Sequence, residues 1–212
     1  MLFQVVKATD LKAELEAANR LAARTAVGRV PLHAAAIETT AGVIAFTGPS
    51  GAGKSTLTAA AVRAGYGYVA DEITAVSPHD LSVIPFHRPI GLRRGGARAI
   101  GVEYPDVSDG RYDYVYPYAV EGHGQRSAGG TLAGIAIVDR LGEEWPAIAD
   151  LDGPQALVEL CEHAVVDDDD DLPDAFARLD TIVRAVPVVR MTYRTTEQSL
   201  TLLAELVERW TT

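Results

Sequence analysis

Hydrophobic and polar positions along this chain switch between two periods, and the switch points mark out its elements. Val43-Ile44-Ala45-Phe46-Thr47 and Leu132 to Val138 are unbroken apolar runs of strand length, the pattern of strands buried on both faces. Asp10 to Arg24 instead carries Leu11, Leu15, Ala18 and Leu21 at helical spacing, which predicts an amphipathic helix with Asp10 as its cap. Lys54 to Ala64, rich in Ala and Leu and followed by Gly65, predicts a helix with a glycine stop. Pro154–Ala164, Asp174–Arg184 and Thr196–Trp210 predict further helices, the last with Glu197 near its start, and Val186–Tyr193 a strand. Met1 to Val6 is short and apolar enough for an edge strand.

Two hairpins are expected. Pro31 to Ile37 is apolar, Glu38-Thr39-Thr40-Ala41-Gly42 is turn-like, and the strand from Val43 follows directly. A second strand, Tyr68-Val69-Ala70, ends at Asp71-Glu72; Ile73–Val76 continues it, and Leu81–Pro85 returns. Gly91 to Gly110, rich in Gly and Arg, and Glu121 to Gly130, with four glycines, read as irregular loops. Tyr112, Tyr114, Tyr116 and Tyr118 alternate as in a strand, a stripe read as sheet packing rather than as a shelf for a nucleobase.

Composition changes this picture little. At 212 residues, with 48% hydrophobic and 23% charged positions, the chain has the make-up of an ordinary globular domain with a full core. The formal net charge of −10 argues against nucleic acid or an anionic membrane as the main partner. Part of that charge is the run Asp167 to Asp171, read as a solvated loop. The one cysteine, Cys161, excludes an internal disulfide and, lying in an apolar helical pattern, is read as packing. With no long apolar run at the N-terminus, neither a signal peptide nor a membrane span is expected, and the expected setting is cytoplasmic.

The informative stretch is Gly48-Pro49-Ser50-Gly51-Ala52-Gly53-Lys54-Ser55, which satisfies G-x-x-x-x-G-K-[ST] at every fixed position and sits between a predicted strand and a predicted helix. A helix N-terminus offers unpaired N–H groups and partial positive charge to a triphosphate. The glycines let the backbone approach, Lys54 reaches the β- and γ-phosphates, and Ser55 offers its hydroxyl to Mg²⁺. Thr56 extends the set of nucleotide-contacting positions. The chain's lysines are Lys7, Lys12 and Lys54, against sixteen arginines, so a lysine in this loop departs from the chain's own habit. Nucleotide binding, ATP with Mg²⁺, is therefore expected. A directly preceding antiparallel partner for the loop strand is unusual, because ordinary P-loop sheets are parallel and reach that strand through a helix.

Magnesium-assisted phosphoryl transfer also needs a carboxylate. Asp71-Glu72 is one candidate; Asp139, at the end of Ile135–Val138, has the look of a Walker B acid. Asp139-Arg140-Leu141-Gly142 fits D-x-x-G, but no N-K-x-D motif follows, which argues against a GTPase. Arg88, Arg93, Arg94 and Arg126 are candidates to clamp phosphate or to be solvated loop charges, and Tyr66 and Tyr68 either line a cleft or pack.

Leu32-His33-Ala34, the turn, the phosphate loop and Val69-Ala70-Asp71-Glu72, with their spacings, resemble the catalytic domain of HPr kinase/phosphorylase. Closer still is the resemblance to short HPr-kinase-like kinases of peptide-modification gene clusters, including those acting on lasso-peptide precursors. The match covers about residues 30–76. It implies an α/β fold of the HPr kinase and phosphoenolpyruvate carboxykinase type, a P-loop kinase core with a mixed, partly antiparallel sheet flanked by helices. The expected organisation is one domain over 1–212: an N-terminal strand and helix (1–29), a nucleotide-binding core (30–76), then acceptor loops, further strands and C-terminal helices (77–212). It also implies transfer of the γ-phosphoryl group of ATP to a serine hydroxyl of a peptide or protein, with Asp71 as general base, Glu72 with Ser55 at the metal, and His33 near the phosphates. HPr kinases proper form hexamers, so an oligomer is in keeping with the resemblance. The family carries paired aspartates where this chain has Asp71-Glu72, and its Glu-Ile-Arg-Gly-type signature is absent from the sequence. The alternatives are an NTPase that couples hydrolysis to assembly or modification through Asp139, a kinase of small-molecule hydroxyls, and a nucleotide-sensing module without turnover.

Overall fold

The computed structural model describes residues 8–102, 126–140, 146–166 and 171–211, with side chains from Ala13 onward. The predicted strand at Met1–Val6, the tyrosine stripe 112–118, Asp167–Asp170 and Leu141-Gly142 lie outside the described residues, as do parts of the two glycine-rich loops.

In chain order the elements are α1 (Ala8–Thr25), β1 (Val30–Leu32), β2 (Ala35–Thr39), β3 (Gly42–Thr47), α2 (Lys54–Arg63), β4 (Gly67–Ala70), β5 (Thr74–Val76) and β6 (Ser82–Ile84). There follow α3 (Arg94–Ala99), β7 (Gly130–Asp139), β8 (Ala147–Asp150), α4 (Gly153–Cys161), α5 (Leu172–Ala185), β9 (Val188–Thr192) and α6 (Thr196–Trp210). This is an α/β fold whose mixed sheet of parallel and antiparallel strands is flanked by helices.

The main body of the sheet runs β4-β2-β3-β7-β9-β8. β3 pairs in parallel with β7, and β7 with β9, whereas β2 is antiparallel to both β3 and β4. The hairpin expected before the phosphate loop is present, with Thr39 paired to Gly42 across a Thr40-Ala41 turn. A second arm, β1-β5-β6, joins the first stretch of β7, at Gly130 and Thr131.

Consecutive residues of the central strands feed opposite faces. Val43 and Ala45, with Ile135 and Ile137, pack on one side with Leu160 of α4 and Leu179 and Ile182 of α5. Ile44 and Phe46, with Ala136 and Val138, pack on the other side with Leu57 of α2 and Leu203 and Leu206 of α6. That double burial explains the unbroken apolar runs. Three helices begin as capping chemistry requires. Asp152 accepts from Gln155 N at 2.9 Å, Asp171 accepts from Asp174 N, and Thr195 with Gln198 forms a reciprocal capping box. Asp171, the last residue of the acidic run, is thus a helix cap.

Several expectations need correction. Pro31–Ile37 is not one strand: it breaks at His33-Ala34 into β1, in the arm, and β2, in the main body. Ile73–Val76 does not continue β4 but belongs to the arm as β5, paired with β1 and with the return strand β6. Asp10 lies inside α1 rather than capping it. Gly91–Gly110 contains the short helix α3, whose Ala97, with Ile100 just past its end, packs with Ile90 and Leu92 against Ala59 and Ala60 of α2. The edge strand β8 carried too little periodicity to be read. Cys161, at the end of α4, is exposed rather than packed: its neighbour Leu160 takes the buried position.

Candidate functional site

The phosphate-loop sequence forms the turn between β3 and α2. Gly48 and Gly53 have φ of 136° and 104°, values that side-chain-bearing residues rarely adopt. A Cβ on Gly48 would stand 2.5 Å from the carbonyl oxygen of Val138, so close packing on β7 demands glycine there, apart from any phosphate. Lys54, 9% exposed, donates from Nζ to Gly48 O at 2.7 Å and to Pro49 O at 3.3 Å. Burial lowers its pKa, against the pull of Glu72 and Asp71.

The fold brings Asp71 to this loop. Ser55 Oγ donates to Asp71 Oδ1 at 3.0 Å. Asp71 is 1% exposed, and its pKa is pushed up to about 6, first by burial and then by Glu72, against the opposing effects of Arg88, the Ser55 hydroxyl and the Gly91 backbone. Its other oxygen, Oδ2, is buried without a hydrogen bond of ordinary geometry among the described residues.

Glu72 holds φ at 85°, a left-handed conformation uncommon for a non-glycine residue. Its side chain reaches back, with Oε2 3.3 Å from His33 Nδ1. His33 is gripped by its backbone: its N–H donates to His163 O at 2.7 Å and its carbonyl accepts from Thr47 Oγ1 at 3.0 Å. Burial lowers the His33 pKa and outweighs the raising effect of Glu72, with Lys54 acting in the same direction as burial. The imidazole is therefore neutral at pH 7.

A cleft of about 500 Å³ is lined by His33, Ser50, Gly51, Gly53, Lys54, Ser55, Thr56 and Glu72; Asp71 is not among its lining residues and lies buried behind Ser55. Leu15, Glu16 and Asn19 of α1 contribute from across the opening. Of the other loop positions, Ala52 turns into the core beside Leu57, and Pro49 is exposed while its carbonyl receives Lys54. Neither these two nor Gly48 lines the cleft.

The arginine candidates separate. Arg88 and Arg93 line the cleft; Arg94 and Arg126 do not. Arg88 donates to Asn19 Oδ1 at 3.0 Å, and Arg93 Nη1 stands 3.8 Å from where a Gly51 Cβ would be. Arg140, which the sequence offered within D-x-x-G and as a partner of Asp139, also lines it. Tyr68 packs rather than facing the cleft, its hydroxyl donating to Arg88 O at 2.7 Å, and Tyr66 packs at the core margin. Asp139 ends β7 beside the loop strand; like Asp71 it does not line the cleft, and what separates the two acids is the Ser55 hydroxyl, which donates to Asp71.

Among the described residues no group of three or more His, Cys, Asp or Glu is gathered as a metal site, and no helix is long and apolar enough to cross a membrane. Compared with protein-family models and with curated proteins, the chain matches none.

Proposed function

We propose that this chain is an ATP-dependent kinase with a P-loop core of the HPr kinase type, transferring the γ-phosphoryl group to a serine hydroxyl of a peptide or protein. The observation that carries this reading is the 3.0 Å hydrogen bond between Ser55 and buried Asp71. It joins a phosphate-loop hydroxyl to a buried acid that follows β4, two of the parts that phosphoryl transfer combines.

The donor set suits Mg²⁺. Ser55 and Glu72 present hard oxygen ligands in the cleft, and Mg²⁺ is ordinarily held by one or two carboxylates with phosphate oxygens completing its shell. When bound, the ion neutralises charge developing on the β- and γ-phosphates. Lys54 exchanges its loop carbonyls for phosphate oxygens, and the loop N–H groups at the start of α2 hold the anion. Asp71 accepts the serine proton as the serine oxygen bonds to the γ-phosphorus and the bond to the departing ADP oxygen breaks. A pKa of about 6 leaves Asp71 ionised at pH 7 and more basic than an ordinary carboxylate. Neutral His33, beside Glu72, can donate a hydrogen bond without adding charge.

The test supplies Mg²⁺ and γ-labelled ATP, with and without serine-bearing peptides encoded by neighbouring genes. Label is expected on a peptide serine. Asp71→Asn should abolish transfer while ATP affinity changes little, and Asp139→Asn should keep transfer. Phosphate release indifferent to any acceptor, surviving Asp71→Asn and lost in Asp139→Asn, would replace the kinase by an NTPase.

A further inference from the structure

Strand order gives the cleft a direction. Asp71 follows β4, on one side of the loop strand β3, whereas Arg140 follows β7 on the other side. Arg88 belongs to the acidic side, where its charge acts on both Asp71 and His33. Arg140 meets the loop one residue before Lys54: a Cβ on Gly53 would stand 3.4 Å from Arg140 Cδ and 3.1 Å from the Tyr193 hydroxyl.

That wall is built by regular structure. Tyr193 follows β9, its N–H donates to Asp139 O at 3.3 Å, and its ring is 4% exposed within the core on the α2 and α6 side. Arg140 itself is exposed, and its Nη2 donates to Arg194 O at 3.0 Å. This bond uses one of the five donors of the guanidinium and sets the orientation of the fork.

Resting on the kinase reading, we propose that Arg140 holds the α-phosphate end of the nucleotide, from the side of the loop opposite Asp71. A triphosphate whose γ end lies at Ser55 and Asp71 extends its other end along the loop toward Gly53, where the Arg140 fork meets it. Arg140 therefore serves ADP and ATP alike, while Arg88 stands at the end where the phosphoryl group leaves.

Calorimetric binding of ADP, ATP and inorganic tripolyphosphate, each with Mg²⁺, to the full chain and to Arg140→Ala tests the assignment. Arg140 is exposed, so the variant should fold with an unchanged melting temperature. All three ligands should weaken by about tenfold to a hundredfold, the value of a charge-assisted contact to phosphate, with Arg140→Lys recovering part of the loss. Weakening of ATP alone would move Arg140 to the γ end and overturn the assignment. Weakening of the nucleotides with tripolyphosphate unaffected would move it to the nucleoside and overturn it too, as would unchanged affinity throughout. A wild-type chain that binds none of the three, and is indistinguishable from Lys54→Ala, would overturn the nucleotide site itself.

Discussion

Asp71 gathers opposing influences on one carboxyl group. Burial and Glu72 favour its proton, whereas Arg88 and the Ser55 hydroxyl favour its charge, and burial prevails at a pKa of about 6. A raised carboxylate has a definite sign in pH profiles. On the proposed kinase reading Asp71 is the base and is inactive when protonated, so kcat/KM, which reports the free protein, should fall as pH drops through about 6, rather than through about 4 as for an ordinary aspartate. A pH–rate profile of the transfer reaction checks this, and an acidic limb near 4 would remove Asp71 from the role of base. Linkage runs the other way for stability. The folded chain binds this proton more tightly than the unfolded one, so the contribution of Asp71 to stability declines as pH rises between about 4 and 6. Of the site residues, Lys54 and Ser55 were plain in the sequence because their motif is contiguous. Arg140 was not singled out, because nothing in its local pattern says which way an exposed arginine at a strand end will point.

At the scale of elements, the chain makes two short crossings between the main body of the sheet and its arm: from β1 to β2 at His33-Ala34, and from β4 to β5 at Asp71-Glu72-Ile73. The two crossings are tied together, with Ala34 N donating to Glu72 O at 3.2 Å and Thr74 Oγ1 to Ala34 O at 2.9 Å. Each crossing leaves a polar residue at the seam, and the seam lies beside the phosphate loop. The first break was not legible, since Pro31–Ile37 reads as one apolar stretch; at the second, Asp71-Glu72 marks a strand end but not that Ile73–Val76 leaves for other partners, because pairing, not local propensity, decides where a strand goes. The loop itself is pinned by packing. Gly48→Ala places a methyl group against Val138 O, at an unfavourable φ of 136°, and should cost about 2–4 kcal/mol in denaturant unfolding. A loss below about 0.5 kcal/mol would show that β7 does not confine the loop.

For the molecule as a whole, helices on both faces hold the loop strand and its neighbours rigidly, so a ligand at the cleft should be felt in global stability. MgATP at a hundred times its Kd should add about 2.7 kcal/mol, raising the melting temperature by about 5–10 °C for a chain of this length. Differential scanning fluorimetry of the wild type and Lys54→Ala measures it. The shift should vanish in Lys54→Ala, and an equal shift in both would place nucleotide binding elsewhere.

What the sequence determined by itself is local: the buried strands, most of the helices, and the glycine-rich turn Gly48–Ser55 with its lysine and serine. These depend on the spacing of neighbouring residues and on backbone chemistry that short segments carry with them. Tertiary structure decided the rest. It broke Pro31–Ile37 into two strands, sent Ile73–Val76 to the arm, added α3 and β8, and chose Asp71 over Asp139 as the partner of Ser55. The physical reason is that hydrogen-bond registers and side-chain burial join residues far apart in the chain. A carboxylate becomes a raised, buried group only when distant strands close around it.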